Sequence, residues 1–152
     1  MQLNFPPVDL KYKQEGEKKW IWDIIRKKYI VVGPEEIVRQ HLIHFLIQHR
    51  GYPQGLLQVE KQLKWKEHRR RTDLVVYDKK GNPILIVECK APKVNITQEV
   101  FEQISRYNMV LGVKHLIVTN GLCHFFCTID LNTKQVSYKE DILPYTDLFL
   151  YT

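Results

Sequence analysis

Three charged residues stand at the ends of two apolar runs in "RRRTDLVVYDKKGNPILIVECKAP", which covers Arg69 to Pro92: Asp73 opens the first run, and Glu88 and Lys90 close the second. The runs are rich in β-branched residues and "DKKGNP" between them is turn chemistry, so the stretch predicts a hairpin. A symmetric turn centred between Lys80 and Gly81 sets Tyr77 against Ile84, Val75 against Ile86 and Asp73 against Glu88. Directly opposed residues share a face, with Cβ atoms roughly 4.5–5.5 Å apart. Strand alternation then brings Lys90 to the face of Glu88. Two carboxylates this close repel, and one is driven to protonate unless positive charge sits between them. Lys90 offsets part of that charge. A divalent cation with hard oxygen ligands, magnesium or manganese, would offset the rest. The plainer alternative is a structural ion pair at a strand end, and a one-residue bulge would break the register.

Other elements must position these groups. "GPEEIVRQHLIHFLIQHRG" predicts a helix: Pro34 suits its first position, two acids follow in the first turn, and Gly51 ends it. "LLQVEKQLKW" alternates as a strand. "NITQEVFEQISRYNMVLG" predicts a second helix, with Asn95 and Gln98 spaced as a capping box and Gly112 as the stop. "KHLIVT", the turn signal Asn120-Gly121, "LCHFFCTID" and "QVSY" predict two strands and a short third. The hairpin of the opening stretch is apolar on both faces, with Leu74 against Val87 and Val76 against Leu85 on the second. It should therefore be central and covered on both sides. The order helix, three strands, helix, two or three strands predicts a mixed sheet with helices against its faces. Residues 1–32 read as a loosely held arm with a short helix or strand in "WIWDIIRKKYIVV", and 33–152 as a single domain.

With 152 residues, 44% hydrophobic and 26% charged, the chain has the composition of one soluble globular domain. Lys plus Arg exceed Asp plus Glu by 23 to 17, a surplus that favours an anionic partner. Cys89 lies inside an apolar strand as a small buried hydrophobe. Cys123 and Cys127 have no second pair, so neither a disulfide framework nor a zinc site is expected. A reducing cytoplasm fits this usage. No apolar run suits a signal peptide or a membrane span. His41, His44 and His49 have no metalloprotease spacing and read as helix-surface residues. The sequence contains no P-loop pattern.

Asp, a hairpin, then Glu-x-Lys resembles the PD-(D/E)xK nuclease superfamily, here as Thr72-Asp73 and Glu88-Cys89-Lys90, with Thr in place of the Pro of the name. More narrowly, "GPEEIVRQHLI", "RRTDLVVYDKKGNPILIVECKAP" and "IVTNG" resemble the N-terminal nuclease domain of type I restriction enzyme R subunits and its short stand-alone relatives. The resemblance runs from about Gly33 to Tyr138. It implies an α/β (α+β), restriction-endonuclease-like mixed sheet flanked by helices. It also implies Mg2+- or Mn2+-dependent hydrolysis of DNA phosphodiester bonds. Asp73 and Glu88 would then bind the metal through their side chains and Cys89 through its carbonyl. Lys90 would orient or deprotonate water, or stabilise developing charge. A Glu of the first helix would complete the site. Glu35 and Glu36 both qualify, and Glu36 is preferred because Glu36-x-x-Arg39 matches the family's E-x-x-R spacing. Gln103 and Tyr107 resemble its Q-x-x-x-Y pair, one helical face apart, with Gln103 at the chemistry and Tyr107 on the nucleic acid.

"KWKEHRRR" supplies Lys64, Lys66, Arg69, Arg70 and Arg71 just before Asp73. A run of bases is usually a solvated face, but beside an acidic metal site it could bring in a polyanion, with Lys93 adding a contact. Each phosphate contact steepens the salt dependence of duplex binding by about 0.9 in log–log slope. DNA is the expected partner, with other restriction-modification subunits as further candidates, and a homodimer would suit cleavage of two strands. The competing expectations are a catalytically inactive nucleic-acid-binding module of the same fold, and an interaction domain whose basic patch serves a protein.

Overall fold

The computed structural model describes residues 2–60, 62–65 and 68–151, without the side chains of 62, 65, 68–71 and 151. Its centre is a six-stranded sheet. The strands are β4 (Leu57–Val59), β7 (Leu74–Tyr77), β8 (Pro83–Cys89), β9 (His115–Thr119), β10 (His124–Ile129) and β11 (Val136–Lys139), lying in the spatial order β11-β10-β9-β8-β7-β4. Neighbours are antiparallel except β8 and β9, which are parallel and joined through helix α2 (Gln98–Leu111). A parallel pair needs such a crossover, and this makes the sheet mixed as expected.

Period-2 patterning explains how the layers close. Leu74, Val76, Leu85 and Val87 point to one face and meet Val38, Leu42, Ile43 and Leu46 of helix α1 (Pro34–His49), all fully buried. The alternate residues Leu116, Val118, Cys127 and Ile129 meet Phe101 and Ile104 of α2. Val75 and Ile86 join Leu63 and Val113 in a third cluster. The β7–β8 hairpin is thus buried on both faces.

Its register follows the symmetric-turn arithmetic for Leu74–Val87, Val75–Ile86 and Val76–Leu85. It departs at the turn, where a bulge between Val76 and Tyr77 sets Tyr77 against Pro83 rather than Ile84. The cause is Asp78. Its carboxylate accepts the N–H groups of Lys80 (2.9 Å) and Asn82 (2.8 Å), and its own N–H bonds to the Asn82 carbonyl. An aspartate that closes the turn on its own side chain makes the loop asymmetric.

Three local expectations are corrected. The N-terminal arm with a short helix or strand is instead a three-stranded antiparallel sheet of β1 (Tyr12–Glu15), β2 (Lys18–Asp23) and β3 (Lys28–Val31). Gly16, at φ +62°, and Glu17 form the two-residue loop between β1 and β2. The "LLQVEKQLKW" strand is broken at Glu60 (φ +53°), which separates β4 from β5 (Gln62–Trp65). β5 pairs with β6 (His68–Arg71) as a separate hairpin beside α2. Helix α2 is capped by Thr97, whose hydroxyl accepts the Val100 N–H at 3.2 Å, rather than by Asn95; Gly112 ends it at φ +71° as expected.

The C-terminal turn Tyr145–Tyr151 docks through His115, which is 1% exposed. Its Nε2 lies 2.9 Å from the Leu148 carbonyl and its Nδ1 2.9 Å from the Thr128 hydroxyl. A carbonyl can only accept, so Nε2 carries the proton and Nδ1 accepts from Thr128. Burial pushes the imidazole down to about 4 from 6.5, so the folded state keeps it neutral. The unfolded chain takes up the proton first as pH falls. Stability is therefore intact above pH 6.5 and decreases between 6.5 and about 4, by roughly 3 kcal/mol in total. Urea melts across that range should show the loss, and His115→Gln should flatten it.

Candidate functional site

The β7–β8 pairing ends at Leu74–Val87, and Asp73, in the bend one residue before it, sits beside Glu88 and feels its charge. Backbone directs its side chain: the Cys89 N–H donates to Asp73 Oδ2 at 2.7 Å. In an extended strand the N–H and C=O of one residue face the same side, so the Cys89 carbonyl also looks toward Asp73. Lys90 Nζ stands 3.2 Å from Glu88 Oε1. The Lys90 N–H bonds to the Thr119 carbonyl at 2.8 Å, which anchors the strand end to β9. The side chains of Asp73, Glu88 and Lys90 are 20%, 15% and 31% exposed, so all three are partly covered yet reachable from solvent.

Electrostatics mark Asp73 as strained in charge. Burial pushes its carboxyl above the usual carboxylate range, the Cys89 N–H and the Arg39 guanidinium oppose that, and Glu88 and Glu35 add to it. Burial also raises the Cys89 thiol well above its usual value. With the thiol 2% exposed, the residue's useful atoms here are those of the backbone.

Behind Asp73 lies a network that residue spacing did not reveal. Arg39 Nη2 is 3.6 Å from Asp73 Oδ1, its Nη1 is 3.4 Å from Glu60 Oε1, and its Nε is 3.7 Å from Glu36 Oε2. Arg26 bonds Asp23, donates to Glu36 Oε1 at 2.8 Å, and reaches Glu60 Oε2 at 3.4 Å. Gln40 donates to Glu36 Oε2 at 3.2 Å. Glu36, expected to face a metal, is therefore 8% exposed and held by Arg26 and Gln40. Glu35 is exposed, and its charge is felt at Asp73. Among the described residues, no group of three or more His, Cys, Asp or Glu side chains is arranged to hold a metal ion.

The helix pair Gln103 and Tyr107 lies off the α2 packing seam, which is formed by Phe101, Ile104, Ser105 and Asn108. Gln103 is exposed and Tyr107 is 44% exposed. Lys93 and Lys64 are exposed. The side chains of Arg69, Arg70 and Arg71, and all of Lys66, lie outside the described residues. Asn120 of "TNG" has a structural task. Its Oδ1 accepts the Leu122 and Cys123 N–H groups at 2.9 Å each, and its Nδ2 donates to the Val94 carbonyl at 2.9 Å. This ties the segment after Lys90 to the β9–β10 loop. Gly121, at φ +86°, lets Leu3 approach: a Cβ there would meet Leu3 Cδ2 at 2.9 Å.

Residues 34–143 match the family described as Type I restriction enzyme R protein N terminus (HSDR_N). The chain belongs to this family. The R-protein N-terminal match takes in Asp73, Glu88, Lys90, both helices and the whole central sheet. A solved fragment assigned to an HsdR subunit of a type I restriction enzyme from Vibrio vulnificus YJ016 shares the fold at 19% identity and a TM-score of 0.50. The likeness covers 70% of this chain and 22% of that one, so the R-protein N-terminal chain described here spans under a quarter of that relative's length. No curated protein matches the chain. No helix among the described residues is long and apolar enough to cross a membrane.

Proposed function

We propose that this chain is the nuclease module of a type I restriction-like system, a metal-dependent DNA endonuclease that hydrolyses phosphodiester bonds. One observation carries the reading: Asp73 is fixed by the Cys89 N–H beside Glu88, while Glu88 holds Lys90 at 3.2 Å. The donor set is hard oxygen throughout, two carboxylates and a backbone carbonyl, which suits Mg2+ or Mn2+. Desolvation of Asp73 beside Glu88 gives the site a reason to take up a cation. Asp73, Glu88 and the Cys89 carbonyl would hold the ion, with a carboxylate from the start of α1 completing the set. Glu35 is the freer of the two for that role, since Glu36 would first have to leave Arg26 and Gln40.

When bound, such an ion supplies Lewis acidity and a more acidic water. The chain's own residues do the rest. Glu88 aims the Lys90 ammonium, a compact charge suited to orienting a water or stabilising an anionic phosphorane. Arg39 and the Cys89 N–H hold Asp73 in place from opposite sides. Arg69, Arg70, Arg71, Lys93 and Tyr107 would carry the DNA, and Gln103 would reach the scissile region.

Supercoiled plasmid and single-stranded DNA, each incubated with Mg2+, Mn2+ or EDTA, provide the test. The expected result is nicking or linearisation with either metal and none in EDTA. Cutting that persists in EDTA overturns the proposal. Binding without cutting under both metals replaces it with an inactive nucleic-acid-binding module.

A further inference from the structure

The three-stranded N-terminal sheet lies outside the family match and carries an unusual surface. Residues 11–31 contain seven of the chain's Lys and Arg against three Asp and Glu, together with two of its three tryptophans. Strand pairing sorts them by face. Lys13 opposes Trp20, Trp20 opposes Val31, and Trp22 opposes Tyr29. With alternation, Lys13, Glu15, Lys18, Trp20, Trp22, Tyr29 and Val31 all share one face, and on it Lys13 Nζ pairs with Glu15 Oε1 at 3.2 Å. Ile21 and Asp23, both 0% exposed, point to the other, so the aromatic face is the outer one; Trp20, Trp22 and Tyr29 on it are half-buried, and the indole Nε1 of Trp20 is covered.

On this outer face lysine and aromatic rings interleave. Lys13 Nζ sits 4.7 Å from the Tyr29 centroid and 5.7 Å from that of Trp20, while Trp22 and Tyr29 meet edge to face at 5.1 Å. On the opposite face, that of Ile21, Lys19 Nζ lies 4.3 Å over Tyr12, which is 41% exposed. Val31 is 49% exposed and extends the apolar surface. Trp20 and Trp22, two residues apart on one strand, are spaced by roughly 6.7 Å. The turn after β2 carries Arg26, so one end of this sheet abuts the network behind Asp73.

We propose that this outer face is a binding platform for a single nucleic-acid strand. Bases would stack against Trp22, Tyr29 and Trp20, and Lys13 and Lys18 would take the phosphates. The charge sign and the π-faces fit this partner together: an acidic peptide would use the lysines and leave the indoles idle, whereas every base has a face to stack. The platform is independent of whether the chain cuts.

The test is binding of a fluorescein-labelled oligothymidylate to the whole chain in EDTA, read by anisotropy, so that cleavage cannot contribute. Trp22→Ala should weaken binding about 10-fold, while Trp22→Phe, which keeps a stacking face, should stay within about 3-fold of the parent. Lys13→Ala with Lys18→Ala should lower the log–log salt slope by about 1.4. Circular dichroism melts of each variant separate lost binding from lost folding, and the lysine pair, being partly or fully exposed, keeps the test valid if Trp22→Ala unfolds. Unchanged affinity and salt slope in the folded variants would overturn the platform. So would no binding by the parent chain at low salt, or displacement of the oligonucleotide by a poly-glutamate peptide at equal charge. Each of those results can arise while metal-dependent cutting of plasmid remains intact.

Discussion

Asp73→Asn is expected to remove metal-dependent cleavage, by on the order of 10³-fold, while leaving the fold as stable as before or more so. The two halves of this result have one cause. Asparagine keeps the shape and can still accept the Cys89 N–H through its amide oxygen, so strand geometry survives. What it loses is the charge, and the folded protein is a poor host for that charge: burial raises the Asp73 carboxyl and Glu88 raises it further. A carboxyl raised in this way favours folding less as pH climbs through its titration, so at neutral pH its removal should be neutral or stabilising. Activity and stability would then move in opposite directions, as they do where a site is built for function. Plasmid cleavage and urea melts on the same preparation check both. A variant that still cuts removes Asp73 from the site, and a loss of more than about 2 kcal/mol would mean that the Arg39 pairing outweighs burial.

The second large effect concerns a residue away from the proposed phosphate chemistry. Arg26→Ala should lower stability by about 3–5 kcal/mol, the usual consequence of stranding buried carboxylates. Asp23 is 0% exposed and Glu36 8%, and both lean on this one guanidinium. Asp23 keeps the N–H groups of Ile25 and Arg26 at 2.8 and 3.0 Å, so the sharper loss falls on Glu36. Against a total of roughly 5–15 kcal/mol for a domain, such a change is severe. Denaturant melts would measure it, and a decrease under about 1 kcal/mol would show that water screens the network. Freed from Arg26, Glu36 could turn toward Asp73. Mn2+ should therefore raise the midpoint of the variant more than that of the parent chain.

Sequence reading reached the site through local geometry and failed where the determinants were distant. The β7–β8 register was legible because "DKKGNP" marks the turn, and a turn centred between Lys80 and Gly81 fixes which residues oppose one another. It slipped only at Tyr77, where backbone hydrogen bonds accepted by the Asp78 carboxylate outweigh turn symmetry. Helix α1 was legible from Pro34 and Gly51. Thr97 lost to Asn95 in the reading of α2 because both sit near the start and only the structure shows which hydroxyl or amide meets an N–H. The N-terminal sheet was missed although its signals were present: Gly16 at the turn, and Trp20-Ile21-Trp22 alternating in a way a helix would not need. The Arg26–Glu36–Arg39–Glu60–Asp73 chain had no comparable signal, since its members are spread from position 26 to 73 and meet only in three dimensions.

The close approach at Gly121 ties the family-matched region to residues that precede it. Leu3 and Phe5 press on the main core, the Asn4 N–H bonds to the Gly121 carbonyl at 2.7 Å, and the Asn4 carbonyl meets His124 Nε2 at 2.7 Å. Those residues, and Arg26 with them, precede position 34, where the shared family pattern begins. The family match thus covers a shorter stretch than the one packed into this core. The matched region and the packed unit have different edges here, and a chain trimmed to 34–143 would uncover the part of the core that Leu3 and Phe5 pack against and lose Arg26 from behind Asp73.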